Sequence, residues 1–140
     1  MRALTLALAL MVCGCAGIES MNRQSRFESE INTAPENYKA DILAAMRTYL
    51  NDPSNVRDAY VSEPTLKGME GGRRYTSCLR YNAKKAGGQY AGIKDNIITF
   101  RAGKLDRIID GGNPREIASL REQCKDAAYV PFPELQNLAR

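Results

Sequence analysis

The sequence contains no histidine among its 140 residues. Histidine is the usual general base near neutral pH and a frequent zinc ligand, so its absence removes the Ser-His and Cys-His nucleophile pairs and most zinc sites. The formal net charge of +4 is not gathered into a basic stripe with aromatic residues, which argues against nucleic-acid binding. We therefore expect a protein that is not an enzyme, holds no metal or cofactor and binds no nucleic acid.

A long hydrophobic run is also absent. The apolar stretch at residues 3–12 is interrupted only by Thr5, and it is shorter than the roughly 20 apolar residues that span a bilayer. With Arg2 before it, the stretch has the positive start and short apolar core of a secretory signal. A core helix is the alternative, but such a helix carries polar residues on one face.

Residues 12–15, Val-Cys-Gly-Cys, resemble the bacterial lipobox, in which an apolar, a tolerated and a small residue precede the lipidated cysteine. This resemblance implies that residues 1–14 are a lipoprotein signal peptide, cleaved after Gly14, and that Cys15 is acylated. Ala16 follows the cysteine, which by resemblance to diderm lipoproteins favours the outer membrane, at its periplasmic face rather than the cell surface. We expect membrane lipid to hold the protein through acylated Cys15.

The four cysteines divide evenly under this interpretation. Cys13 leaves with the signal peptide and Cys15 carries lipid, so Cys78 and Cys124 remain as a pair in an oxidising compartment. We expect these two to form a disulfide, closing a loop of about 47 residues and contributing roughly 4 kcal/mol in the chain-entropy treatment. Two buried free thiols are the alternative.

After the anchor, the sequence indicates a tether and one domain. Residues 15–32 are polar and lack a sustained apolar stripe, so we expect a lipid anchor and flexible tether, with transient helix as the alternative to disorder. Residues 33–140 are expected to form a single domain. Thr33 and Glu36 have the spacing of a capping box, which predicts that the first helix of the domain begins there. Its expected core-facing stripe comprises Tyr38, Ile42, Ala45, Met46 and Tyr49.

Strand patterns follow this helix at residues 55–62, 73–83, 96–101 and 105–110, and residues 65–72 are interpreted as a loop. In the clearest strand, alternation places Tyr75, Ser77, Leu79 and Tyr81 on one face and Thr76, Cys78, Arg80 and Asn82 on the other. The predicted fold class is α+β, with an N-terminal helix, a small antiparallel sheet of 3–4 strands and a C-terminal helix pinned by a disulfide.

The C-terminal helix is predicted from a second capping box. Asn113 stands at the cap, Pro114 at the first helical position and Glu116 at the third. Cys124 falls on the inward face of this helix, so it can reach a strand residue such as Cys78. The prolines of residues 129–133 then predict an extended tail that lies across the domain.

One turn carries the candidate binding residues: Lys84, Lys85, Gly87, Gly88 and Tyr90. It is not a phosphate-binding loop of the nucleotide-binding kind, because the following helix and the Lys-Ser/Thr ending are missing. A hairpin turn that needs positive φ is the favoured interpretation. A basic turn that touches anionic lipid headgroups or phosphates is the alternative.

The region around this turn is similar to a group of small proteobacterial envelope lipoproteins of uncharacterised function. In that group a strand runs into an Asn-Ala-Lys turn, then glycines, an aromatic residue and a glycine, then a second strand that ends in an Asp-Gly-Lys-like hairpin. Ala102 stands here where the group usually has Asp. The matching residues are Asn82, Ala83, Lys84, Gly87 or Gly88, Tyr90, Gly92, Gly103 and Lys104. The resemblance implies an envelope location and a helix-plus-sheet domain, and it carries no known reaction.

We therefore expect a membrane-anchored envelope lipoprotein with a non-enzymatic binding or scaffolding role and an envelope protein as partner. The alternative is a small periplasmic inhibitor or ligand-binding module that acts through an exposed loop. Residues 84–92 and residues 65–72 are the candidate loops. A protruding rigid loop would favour the inhibitor, and a deep cleft with two acids within ~10 Å would favour an enzyme instead.

Overall fold

The computed structural model describes residues 15–138, with side chains from residue 19 onward. The predicted signal peptide, residues 1–14, lies outside the described residues, and so does the side chain of Cys15. The chain divides into two compact units, Met1–Glu30 and Ile31–Arg140.

The described part of the first unit lies in a helix, α1 (Cys15–Ile31), whose last residue belongs to the second unit. The structure has helix in this segment, for which the sequence left transient helix as the alternative to disorder. The segment has no proline, and seven of its 17 residues are Glu, Arg, Gln or Met, which have high helix propensity, so an apolar stripe is not needed to form the helix. Met21 and Phe27 are both more than half exposed on it.

The second unit is α+β, as the sequence predicts. Its helices are α2 (Tyr38–Tyr49), α3 (Pro114–Cys124) and α4 (Pro133–Gln136), and its strands are β1 (Asp52–Ser62), β2 (Thr65–Met69), β3 (Gly72–Lys84), β4 (Lys94–Arg101), β5 (Lys104–Ile109) and β6 (Tyr129–Pro131). Within the described residues these strands form one sheet in the order β5-β4-β3-β1-β6, and β2 pairs with β3 outside that path. Every pair is antiparallel.

Six strands are present, so the prediction of 3–4 is wrong in number. Residues 65–72, expected to be a loop, supply β2, because Gly71 at φ 85° permits a tight turn back into β3. The tail, expected only to be extended, supplies β6. There Val130 pairs with Val61 at the edge of the sheet, a position at which Pro131 is tolerated.

Side chains alternate across the sheet and bury two separate clusters. Leu79 and Tyr81 lie in the larger cluster, with Ile42 and Met46 of α2 and Leu135 of α4. On the other face, α3 covers a smaller cluster of Cys78, Ile97, Leu120 and Cys124. This arrangement confirms the predicted division of β3 into two faces. The predicted core-facing stripe of α2 is confirmed at Tyr38, Ile42 and Met46, but Tyr49 at its end is exposed.

The two predicted capping boxes have opposite outcomes. Asn113 Oδ1 accepts a hydrogen bond from the Glu116 backbone N–H at 3.0 Å, and Pro114 is the first residue of α3, as expected. The box at Thr33 is wrong, since α2 begins only at Tyr38. Pro35, which is buried, disfavours helical backbone at the residue before it, and residues 33–35 are neither helix nor strand.

Cys78 and Cys124 form the predicted disulfide, with their Cα atoms 5.8 Å apart. Cys78 lies at the middle of β3, and Cys124 is the last residue of α3. Cys124 is fully buried and Cys78 nearly so. The bond therefore fixes the end of α3 to the centre of the sheet.

We predict that reducing this bond lowers the free energy of unfolding by about 4 kcal/mol, because the unfolded chain regains the entropy of an open loop. Urea titrations of the oxidised and reduced protein measure the difference. The double variant Cys78→Ser, Cys124→Ser is the control and should not respond to reductant. Superimposed unfolding curves for the oxidised and reduced wild-type protein would contradict the prediction.

Candidate binding pocket beside the glycine turn

The turn that joins β3 to β4 is held by its own backbone. The Lys85 N–H donates to the Gln89 carbonyl at 2.8 Å, and the Gly88 N–H donates to the Lys85 carbonyl at 2.9 Å. Gly88 has φ 80°, a conformation that favours glycine. The residues in this turn are exposed, and Lys84 and Tyr90 on either side of it form a β-bridge.

The far end of the turn is fixed by two further bonds. The Ala91 N–H donates to the Ala83 carbonyl at 2.9 Å, and the Gly92 N–H donates to Asn82 Oδ1 at 3.0 Å. These contacts place the half-buried ring of Tyr90 beside the C-terminal end of β3. The turn is thus a constrained loop that presents one aromatic residue.

Tyr90 packs against β1 through its hydroxyl group and its ring. The hydroxyl donates to the Asn55 carbonyl at 2.8 Å. The Arg57 guanidinium carbon lies 4.1 Å from the ring centroid, and Lys84 Nζ lies 5.7 Å from it. Both distances are in the range of cation–π interactions.

These residues line an open pocket of about 440 Å³. Its lining comprises Asn55, Val56, Arg57, Lys84, Tyr90 and Gln136. Two side chains in this lining are cationic and none is acidic. Such a surface can attract and hydrogen-bond an anionic group, and it holds no paired acids for hydrolysis.

An irregularity in β1 shapes the wall of the pocket. The pairing of β1 with β3 shifts register on both sides of Arg57. Asn55 and Asp58 have φ of 55° and 52°, a left-handed conformation that Asn and Asp adopt more readily than most residues. Bulges of this kind redirect side chains, and here Arg57 points to Tyr90.

Of the predicted binding residues, Lys84 and Tyr90 line the pocket. Lys85, Gly87 and Gly88 build the exposed turn and do not line it. Arg57, Asn55 and Gln136 also line the pocket and were not predicted from the sequence. The sequence did contain a pattern that bears on Arg57 and Asn55. Asn55 and Asp58 lie inside a strand-like stretch, and Asn and Asp adopt the left-handed backbone of a bulge more readily than most residues.

A partly buried polar cluster lies next to the disulfide. Arg80 Nε donates to Asp95 Oδ1 at 2.7 Å, and the Tyr129 hydroxyl donates to the same oxygen at 3.0 Å. The guanidinium of Arg80 also lies 4.6 Å from the Tyr129 ring centroid. The bond to Asp95 raises the pKa of Arg80, and burial raises the pKa of Tyr129. This cluster attaches β6 to the centre of the sheet and has a structural role.

A second polar cluster lies near the C-terminal end of α2. The Tyr49 hydroxyl donates to Asp110 Oδ2 at 2.5 Å. Burial raises the pKa of Tyr81 to about 12, the Asp110 carboxylate adds to this, and the nearby Asn96 amide acts in the opposite direction. Asp110 and Asp95 thus serve different clusters on opposite faces of the sheet, and their contacts are those of structural acids.

We predict that the protein loses stability at alkaline pH. The ordinary pKa of tyrosine is 10.0, and burial raises the pKa of Tyr81 to about 12, so the folded state keeps a proton that the unfolded chain releases. The stabilisation is complete below about pH 10 and is lost as the pH rises towards about 12, by on the order of 2 kcal/mol for this group. Urea titrations at about pH 9 and about pH 11 measure the loss.

The matched variant is Tyr81→Phe, which cannot ionise at this position. Its loss of stability between the two pH values should be smaller than that of the wild-type protein. An equal loss in both proteins would show that Tyr81 is not the group responsible.

No group of three or more His, Cys, Asp or Glu residues within residues 15–138 is arranged to hold a metal ion. None of the helices described there is both long enough and apolar enough to cross a membrane.

Comparison of the chain with protein-family models, with curated proteins and with solved structures finds no match.

Proposed function

We propose that the protein is a lipid-anchored envelope lipoprotein whose domain has a non-enzymatic binding or scaffolding role. Cys15 carries the acyl chains, and the anchor holds the domain at the periplasmic face of the outer membrane. The resemblance to small proteobacterial envelope lipoproteins supports the same location.

The Cys78–Cys124 disulfide is the observation that carries this proposal. Structural disulfides persist in exported proteins and are rare in reducing compartments. The bond uses both cysteines that remain once Cys13 and Cys15 are assigned to the signal peptide and the anchor. The chain therefore has the cysteine usage that export with lipidation requires.

The pocket beside Tyr90 supports a binding role. It is open, it combines an aromatic ring with two cations, and its turn is fixed by backbone hydrogen bonds. The most buried carboxylate, Asp95, is occupied by Arg80 and Tyr129, which leaves it poorly suited to acid–base catalysis.

Metabolic labelling with radioactive palmitate tests the anchor. We expect label in the wild-type protein and none in Cys15→Ser, because the thiol that accepts the acyl chain is gone. Cys13→Ser is the matched control, since it removes a neighbouring thiol that the proposal places in the signal peptide, and it should be labelled normally. Label that persists in Cys15→Ser would refute the anchor.

A second candidate function, an inhibitor that acts through a loop, is favoured by the β2–β3 hairpin. Within the described residues β2 pairs with β3 alone. The tip of this hairpin, Glu70 and Gly71, is exposed. A two-stranded ribbon with a tight turn can enter an active site without a large entropic cost.

Inhibition of envelope peptidoglycan hydrolases in a turbidity assay tests this candidate. The wild-type protein should slow hydrolysis, and Met69→Ala with Glu70→Ala at the hairpin tip should weaken inhibition about tenfold through lost contacts. Lys85→Ala, in the other turn, is the control and should inhibit normally. No inhibition by the wild-type protein would rule out this class of target.

A further inference from the structure

We propose that the pocket beside Tyr90 binds a phosphate group, held by Arg57 and Lys84. This inference rests on the proposed binding role and specifies its ligand chemistry. The phosphate belongs either to a lipid headgroup or to a small soluble phosphate ester, and both present the same oxyanion to the pocket.

Arg57 is arranged to hydrogen-bond such a group. Its guanidinium carbon lies over the Tyr90 ring, 4.1 Å from the ring centroid. A guanidinium carries five N–H donors, and contact with an aromatic ring leaves donors available for two parallel bonds to oxyanion oxygens. Among the described residues, Arg57 makes no hydrogen bond or ion pair that would occupy them.

Lys84 supplies a second positive charge to the same pocket. Its ammonium lies 5.7 Å from the centroid of the ring on which Arg57 stacks. In the described part of the chain, the ion pairs join Arg80 to Asp95, Arg107 to Asp106 and Lys125 to Glu122, so the charge of Lys84 is not neutralised by any of them. Two cations favour a dianionic phosphate over a singly charged carboxylate.

A second pocket of the same unit shows the contrast. It has a volume of about 500 Å³, and it is lined by Leu43, Arg47, Pro133, Glu134, Asn137 and Leu138. Its lining contains one cation, Arg47, and one acid, Glu134, and its leucine and proline side chains make it less polar than the pocket beside Tyr90. The lining beside Tyr90 is the one with cations and no acid.

The pocket is also held in place before any ligand arrives. The Tyr90 hydroxyl is bonded to the Asn55 carbonyl, and the turn beyond Lys84 closes on itself through Lys85, Gln89 and Gly88. Left-handed backbone at Asn55 fixes the bulge that carries Arg57. Preorganisation of this kind lowers the conformational entropy that binding would otherwise cost.

The test is an NMR titration of the mature, lipidated protein in neutral detergent micelles. Inorganic phosphate and dihexanoyl phosphatidic acid are added separately, and amide shifts of Tyr90, Gly88 and Gly92 report binding. We expect saturable shifts with at least one ligand, weakening as salt is added. A response to the lipid alone indicates a headgroup site, and a response to both indicates a site for soluble phosphate esters.

Matched single-charge variants assign the binding to the pocket. Arg57→Ala and Lys84→Ala should each weaken binding about tenfold, the effect expected for loss of a charged hydrogen bond. Lys85→Ala removes the same charge one residue away, outside the lining, and should bind within about twofold of wild type because only long-range screened charge is lost. Arg57→Lys keeps the positive charge but lacks the paired N–H donors of the guanidinium, so its affinity should lie between those of the wild-type protein and Arg57→Ala.

Two results would overturn the inference. One is the absence of saturable shifts with either ligand, and the other is equal weakening by Lys84→Ala and Lys85→Ala, which would indicate a diffuse charge effect. Thermal unfolding of each variant shows that the fold is intact, and Arg57→Lys replaces Arg57→Ala if the latter unfolds. Palmitate labelling reports on the anchor independently, so failure of the phosphate site leaves the proposed location testable.

Discussion

Pairing along β3 is the constraint on which the rest of the domain depends. This strand hydrogen-bonds to β1, β2 and β4, so its register fixes where each neighbour lies. Its alternation sends Leu79 and Tyr81 into the larger core and Cys78 towards α3. Because its last residue is Lys84, the same register also decides which side chains meet at the pocket. A shift of one residue would exchange the two faces and dismantle both clusters.

Much of this arrangement can be predicted from the sequence, because it depends on regular spacing of apolar residues. The two-residue repeat of β3, the helical spacing in α2 and the Asn113–Glu116 cap all have local causes, and the disulfide joins the two cysteines that lie outside the N-terminal Val-Cys-Gly-Cys motif. The elements that were missed depend on pairing partners. β2 and β6 are short and weakly patterned, and they become strands only because a neighbouring strand offers hydrogen bonds.

Only part of the pocket lining was predicted from the sequence, because the residues that were not predicted reach the pocket through long-range contacts. Lys84 and Tyr90 belong to a turn that glycines mark clearly in the sequence. Arg57 lies 33 residues from Tyr90, and its orientation depends on irregular backbone in β1 that periodicity does not reveal. Gln136, which also lines the pocket, is the last residue of the four-residue helix α4. Long-range convergence of this kind requires knowledge of the sheet order.

The chain entering the domain is attached to it at a point that matters mechanically. The Ile31 carbonyl accepts a hydrogen bond from the Ala102 N–H at 2.9 Å, so a pull on the chain before Ile31 would be transmitted first to the β4–β5 turn. The covalent loop between Cys78 and Cys124 encloses that turn, and those residues cannot be drawn out as extended chain while the bond is intact. α2 and the first half of β1 connect Ile31 to Arg57 and lie outside that loop, so a pull between Ile31 and Arg57 would load them and not the residues enclosed by the disulfide. The wall of the pocket that carries Asn55 and Arg57 is therefore not protected by the disulfide.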